Sequence, residues 1–136
     1  MATEILLQPK YVSEEGLWRA IDDKRRYEII LAGDKLAPNR QDLERAERIF
    51  PNLKALSNVA SEYLNHFVDQ SEFTSEDDWY LEGASFGLDA VREPDSFCLD
   101  FTHSGDIYSM WGVLFRERIN LSEDAMIPVC FFRQQS

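Results

Sequence analysis

Three residues with the side chains of a hydrolase triad, His103, Ser104 and Asp106, stand close together in the sequence. In such an enzyme the nucleophile, the base and the orienting acid must meet in space with their reactive atoms aligned. Neighbouring residues of one tight turn cannot easily reach that geometry, and "HSGD" at 103–106 is typical of a hairpin turn. We therefore do not interpret these residues as a catalytic site.

The sequence also lacks a recognisable metal-binding or phosphate-binding motif. Two histidines and two cysteines show no zinc spacing, and "SEDD" at 75–78 lacks the alternating acids and central glycine of a calcium loop. The six glycines are scattered and form no phosphate-binding loop. We predict a protein that is not an enzyme and has no metal or cofactor, in which Cys98 and Cys130 are small buried hydrophobes.

The acidic residues are concentrated in one third of the chain. Of its formal net charge of -11, the whole excess falls in residues 62–106, which hold twelve acids and one base. Residues 1–61 hold ten of each sign, and residues 107–136 hold three of each. This balance excludes a protein that grips nucleic acid through lysine and arginine. It favours a protein partner with a basic surface, because the acidic field would speed their encounter.

The predicted contact residues combine these acids with nearby aromatic side chains, which could serve as desolvated anchors. They are Glu72, Glu76, Asp77, Asp78, Tyr80, Glu82, Asp100, Asp106 and Tyr108. We expect Trp79, although it adjoins the acids, to anchor its strand in the core. The alternative is that the acids form a solvated loop that only keeps the protein soluble.

The first half of the chain predicts strands followed by an amphipathic helical region. Residues 4–9 and 16–33 suit strands with a charged turn in the second stretch, and a short helix at 14–21 is the competing interpretation. From Asn39 to about Asp69, apolar residues recur every three or four positions. Asn39 is a good N-cap, and Pro51 predicts a kink or a break into two helices.

The second half predicts strands at about 79–88, 97–103, 107–116 and 126–133. A shift in the apolar alternation within the first of these strands predicts a bulge at Gly83. The whole chain, residues 1–136, is predicted to be one α+β domain of two layers, an antiparallel β-meander packed on one or two amphipathic helices. Because no secretory signal or membrane-spanning segment is evident, we expect a cytoplasmic protein without membrane contact.

The C-terminal half resembles a group of small acidic bacterial proteins. The order W-x-L-x-G at 79–83, F-x-L-x-F at 97–101 and D-x-Y-x-x-W-x-V-x-F at 106–115, with helices before it, is similar to immunity proteins of polymorphic toxin, contact-dependent and type VI secretion systems. The resemblance implies a cytosolic protein that binds and blocks a cognate toxin. It includes no catalytic motif.

Charge and resemblance together predict an inhibitory binding protein of the immunity type, which occludes a basic toxin, especially a nuclease. Its contact surface would comprise residues around 72–82 and the exposed side of the 97–108 hairpin. A structural or adaptor module is the second interpretation, which could form a homodimer through a sheet edge or the strand "MIPVCFF". The third is a small-molecule-binding domain or an unrecognised enzyme with a pocket between helices and sheet.

Overall fold

Strands flank a helical region in the computed structural model, which describes residues 7–22, 27–68, 78–88, 96–118 and 125–135. The elements are β1 (Lys10–Val12), β2 (Leu17–Ile21), β3 (Glu28–Leu31), α1 (Arg40–Ile49), a 3-10 turn (Phe50–Asn52), α2 (Leu53–Phe67), β4 (Trp79–Phe86), β5 (Ser96–His103), β6 (Asp106–Arg118) and β7 (Ala125–Gln135). No helix among these residues is long and apolar enough to cross a membrane.

The strands form one sheet in the order β1-β2-β3-β4-β5-β6-β7, which confirms the predicted α+β class. All neighbours are antiparallel except β3 and β4, which run parallel. The exception arises because the helical region connects β3 to β4, and a parallel pair needs such a crossover. The predicted meander is thus two meanders joined by a parallel pair.

The N-terminal part differs from the prediction in two places. Residues 7–9 are not in a strand, and residues 4–6 lie outside the described ranges. The competing short helix at 14–21 is also wrong, because residues 17–21 form β2 and pair with both β1 and β3. Whether such a short segment forms a strand depends on its pairing with neighbouring strands, and local composition alone does not reveal that pairing.

The helical region begins and breaks where the sequence predicts. The Asn39 side chain accepts hydrogen bonds from the backbone N–H groups of Gln41 and Asp42, at 3.0 and 3.2 Å. Pro51, which lacks an N–H donor, lies in the 3-10 turn between α1 and α2. The buried face nevertheless continues through the break, along Ala46, Ile49, Leu53, Leu56, Ala60 and Leu64.

This helical face packs on one face of the sheet, and the core lies between the two layers. Ile29, Ala84, Leu99 and Val113 are paired side by side across β3 to β6, and all four are buried. Trp79 is buried as predicted, and its indole N–H donates to Asn65 Oδ1 on α2 at 2.8 Å. The opposite side of the sheet is called the outer face below.

Gly83 forms the predicted bulge in β4. The register with β5 shifts between Leu81 and Gly83. In a regular strand Trp79 and Phe86 would point to opposite faces of the sheet, but the bulge lets both point into the core. A Cβ atom on Gly83 would lie 1.8 Å from the backbone oxygen of Glu28 on β3. Only glycine allows β3 to approach β4 this closely.

Candidate functional site

β6 departs from regular pairing just after the turn at Ser104 and Gly105. Between the pairs Phe101–Trp111 and His103–Asp106, β5 contributes one residue and β6 contributes four. The four residues 107–110 cannot all pair with a single β5 residue, so the strand must bend away from a regular ladder. We call residues 107–110 the β6 bulge.

The β6 bulge presents two large side chains to solvent. Ile107 is 72% exposed and Tyr108 is 74% exposed. Tyrosine offers a large, rigid contact area with one polar end, which makes it a frequent anchor at protein interfaces. Tyr108 was predicted from the sequence, whereas Ile107 was missed because 107–116 was interpreted as a regular strand. The available signal was an apolar residue placed directly after a polar turn.

The Asp106 side chain holds the β6 bulge from its buried side. Ser109 Oγ donates to Asp106 Oδ1 at 3.0 Å, and the Trp111 indole N–H donates to Oδ2 at 3.0 Å. Arg133 on β7 adds an ion pair, with Nη2 2.8 Å from Asp106 Oδ2, and its Nε donates to Ser109 Oγ at 3.0 Å. Both ends of the bulge are therefore fixed to one carboxylate.

These bonds give Asp106 a structural role rather than the predicted contact role. Its side chain is only 10% exposed. Burial acts to raise the pKa of the carboxyl, but hydrogen bonds from Arg133, Ser109 and Trp111 outweigh this effect and leave the pKa below its ordinary value. The charge of Asp106 is already neutralised within the chain, so this acid positions the bulge and adds little to an external acidic field.

Asp78 links the start of β4 to the same turn. Its backbone N–H donates to Ser104 Oγ at 2.9 Å, and the Ser104 N–H donates back to the Asp78 carbonyl at 3.1 Å. The Asp78 carboxylate accepts from the backbone N–H of Trp79 at 2.8 Å. Asp78 is exposed, so its negative charge faces solvent beside the turn.

Tyr80 and Glu82 follow on the outer face of β4. Tyr80 pairs with Thr102 across the ladder and is 55% exposed. Thr102 Oγ1 donates to Glu82 Oε1 at 2.7 Å, which fixes an exposed carboxylate next to the tyrosine. Thr102 is also the β5 residue opposite the β6 bulge, so one strand, β5, separates Tyr80 from the bulge.

We call Asp78, Tyr80, Glu82, Ile107 and Tyr108 the acidic-aromatic surface. It combines two exposed carboxylates with three large side chains that are more than half exposed. In the sequence, Asp78, Tyr80 and Glu82 lie within the acid-rich segment 62–106, and Ile107 and Tyr108 follow directly after it. Such a surface can attract a cationic protein over a distance and then bury apolar area against it.

Asp100 lies apart from this surface, near the middle of the outer face. Ser85 Oγ donates to its Oδ2 at 3.2 Å, and Cys98 Sγ donates to its Oδ1 at 3.5 Å. Burial raises the pKa of Asp100 to about 6, although the two hydrogen bonds act to lower it. Asp100 was predicted as a contact on the exposed side of the 97–108 hairpin, but its carboxyl accepts hydrogen bonds within the sheet, and we leave it out of the surface.

The remaining predicted contacts, Glu72, Glu76 and Asp77, lie outside the described residues.

The polar residues of the turn have partners that build the fold. His103 is buried, its ring packs edge-on against Trp79 with centroids 4.4 Å apart, and its Nδ1 accepts from the Gly105 N–H at 3.0 Å. Within the described ranges, no three histidine, cysteine or acidic residues lie close enough together to hold a metal ion.

The two cysteines differ in their surroundings. Cys98 is buried on β5, as predicted, and burial raises the pKa of its thiol. Cys130 is exposed, so the prediction that it is buried is wrong. The reason is its place on β7, the last strand of the sheet, where an apolar run such as "MIPVCFF" can border solvent.

Comparison of the chain with protein-family models, with curated proteins and with solved structures gave no match.

Proposed function

We propose that this protein is a non-enzymatic inhibitor of the immunity type, which neutralises a basic toxin by covering its active cleft. The observation that carries the proposal is the acidic-aromatic surface, where Tyr80, Ile107 and Tyr108 stand exposed beside the carboxylates of Asp78 and Glu82. Isolated exposed apolar residues are common, but three large ones on the two strands that flank β5, with exposed acids on one of these strands, favour an interface.

The charge distribution supports a cationic partner. Asp78 and Glu82 are both exposed, and they belong to residues 62–106, which carry twelve acids and one base. A nuclease is the toxin that fits best, because its cleft must attract phosphate groups and would therefore also attract carboxylates. Asp78 and Glu82 would then take the place of substrate phosphates, and the substrate would be excluded.

The geometry of the β6 bulge supports tight binding once the partners meet. Asp106 fixes the bulge at Ser109 and Trp111, so Ile107 and Tyr108 are held in place before the partner arrives. A surface that is ordered in advance loses less conformational entropy on association. The two side chains can then act as anchors without a folding step.

Affinity capture followed by an activity assay tests the proposal. The chain would be immobilised and exposed to a lysate of its native cell, and the captured protein would be assayed alone and with one equivalent of the chain. We expect a basic protein whose toxicity on expression is abolished by co-expression with this chain. The matched bait is the Ile107→Ala, Tyr108→Ala double variant, which should capture little of that protein. A captured protein whose activity persists in a saturated complex would refute inhibition.

A further inference from the structure

His103 is a buried histidine that binds the turn leading into the β6 bulge. The residue is 1% exposed, and its Nδ1 accepts a hydrogen bond from the backbone N–H of Gly105 at 3.0 Å. A ring nitrogen that accepts a hydrogen bond carries no proton, so the uncharged ring holds its single proton on Nε2. The bond to Gly105 therefore requires that His103 is uncharged.

The turn fixes the first end of the β6 bulge. His103 and Asp106 are the last ladder pair of β5 and β6, and the next pair is Phe101 with Trp111. Residues 107–110 therefore depend on two ladder pairs, and the turn closes the first of them. If the turn opened, this first pair would be released, and the two exposed side chains of the bulge follow directly after it in the sequence.

We propose that proton uptake by His103 opens this turn and releases Ile107 and Tyr108 from their fixed positions. Histidine is the side chain that ordinarily changes its charge between pH 5 and 8. Once Nδ1 carries a proton, two donors face each other where the bond to Gly105 was, and a buried donor without an acceptor is costly. If the acidic-aromatic surface has the function proposed above, mild acid would then weaken binding of the partner.

The neighbouring charges act in the same direction. Among the described residues, the charged or titratable groups on the elements around His103 are Asp78 on β4, Asp106 on β6, Arg133 on β7, and Glu62 and His66 on α2. Asp78, Glu62 and His66 are exposed, so solvent screens them. Asp106 is the ladder partner of His103 and is bound to Arg133. A charged His103 would compete with Arg133 for this carboxylate and so loosen the ion pair that holds the bulge.

An NMR titration of the free, full-length chain from pH 8 to 5 tests the proposal. Nitrogen-15 spectra of the ring show which nitrogen carries the proton, and we expect only Nε2 to do so at pH 7.5. As Nδ1 gains its proton, the protection of the Gly105 amide against hydrogen exchange should fall about tenfold, the effect of one hydrogen bond. Relaxation measurements should show that the Tyr108 backbone becomes more mobile with the same midpoint.

Three variants separate His103 from other titrating groups. His103→Asn keeps an acceptor for the N–H two residues further on but cannot gain a charge, so Gly105 should stay protected throughout. His66→Gln removes the exposed histidine of α2 and should leave the wild-type behaviour unchanged. Asp100→Asn should also leave it unchanged, although the pKa of Asp100 is about 6, because this residue lies on the outer face.

Three results in the wild-type chain would overturn the proposal. They are an uncharged ring with its proton on Nδ1, a ring that stays uncharged down to pH 5, and a Gly105 amide whose protection persists after the ring is charged. None of them involves a partner, so each contradicts the role of His103 alone. Failure to capture a basic protein at pH 7.5 would instead contradict the proposed function.

Discussion

Arg133 on the last strand and Asp106 at the start of β6 form an ion pair with 2.8 Å between Nη2 and Oδ2, and the guanidinium lies over the Trp111 ring at 5.2 Å. This pair fastens β7 to the β6 bulge. The residues that present Ile107 and Tyr108 therefore depend on a cation from a different strand.

Replacing Asp106 with asparagine should destabilise the fold. The variant loses the charge that accepts from Arg133, Ser109 and Trp111, and we expect a loss of about 1 to 3 kcal/mol in the free energy of unfolding. Urea denaturation at neutral pH measures it. Glu44→Gln is the control, because the Arg40–Glu44 pair is mostly exposed and should contribute less than about 0.5 kcal/mol. Equal losses in the two variants would contradict the structural role of Asp106.

Asp100 should make the protein less stable as the pH rises. Its pKa in the folded chain is about 6, against an ordinary value of 3.8, so the folded state binds the proton more tightly than the unfolded state. The resulting stabilisation is fully present below pH 3.8 and is lost as the pH rises through 6. Its upper limit is roughly 3 kcal/mol, reduced by the solvent that still reaches this residue.

The Asp100→Asn variant measures this contribution. Between pH 4 and 6 the unfolding free energy of the variant should change less with pH than that of the wild type. At pH 7.5 the variant should unfold at a higher urea concentration than the wild type. Profiles of the wild type and the variant that run parallel across this range would show that Asp100 titrates alike in both states. Glu44→Gln again controls for the loss of one carboxylate.

Truncating the exposed anchors should weaken partner binding without affecting folding. Ile107→Ala and Tyr108→Ala each remove a side chain that is more than two-thirds exposed, so the unfolding free energy should change by less than about 0.5 kcal/mol. Affinity for the proposed toxin partner should fall about 30-fold for each, the effect of a central interface residue. Calorimetric titration measures this effect, and Leu36→Ala is the matched exposed control. Affinities within twofold of wild type would remove these residues from the interface.

Reversing the exposed charges should act on the rate of association. Asp78→Lys with Glu82→Lys should slow association about tenfold at low salt and make the rate less sensitive to added salt, with a smaller change in dissociation. Stopped-flow mixing at several salt concentrations gives both quantities. Glu44→Lys changes an exposed acid on α1, outside the acid-rich segment, and should alter the rate far less. An unchanged association rate in the double variant would mean that the partner binds elsewhere.

Gly83→Ala should be strongly destabilising. The new methyl group would lie 1.8 Å from the Glu28 carbonyl oxygen, a backbone atom that can move only if β3 and β4 separate. We expect a loss of about 3 kcal/mol or more in unfolding free energy, as for severe overpacking. Gly16→Ala is the control, since its Cβ would meet nothing within 4 Å and only its φ of 67° is unfavourable, at about 1 to 2 kcal/mol.

Features with local causes were predictable from the sequence. The break at Pro51, the cap at Asn39 and the bulge at Gly83 each follow from the backbone chemistry of a single residue. The burial of Trp79 followed from its place at the start of an apolar strand. Tyr80 and Tyr108 were predicted as contacts, and the structure leaves both exposed.

Features with long-range causes were not predictable. Asp106 is held by Arg133 on β7, and the Asp100 carboxyl accepts a hydrogen bond from Ser85 on the neighbouring strand β4. An acid that alternates with apolar residues has the same pattern whether it meets solvent or a hydroxyl group. Only the pairing of distant strands separates these outcomes.

The parallel contact between β3 and β4 has a consequence for the order of folding. β4 to β7 follow one another through short connections, and so do β1 to β3, but β3 and β4, which join the two groups, are separated in the sequence by the whole helical region. We therefore expect the two groups to join last. Closing that long loop carries the largest entropy cost in the sheet. The close contact of β3 and β4 at Gly83 is therefore where we expect the two groups of strands to join into one cooperatively folded sheet.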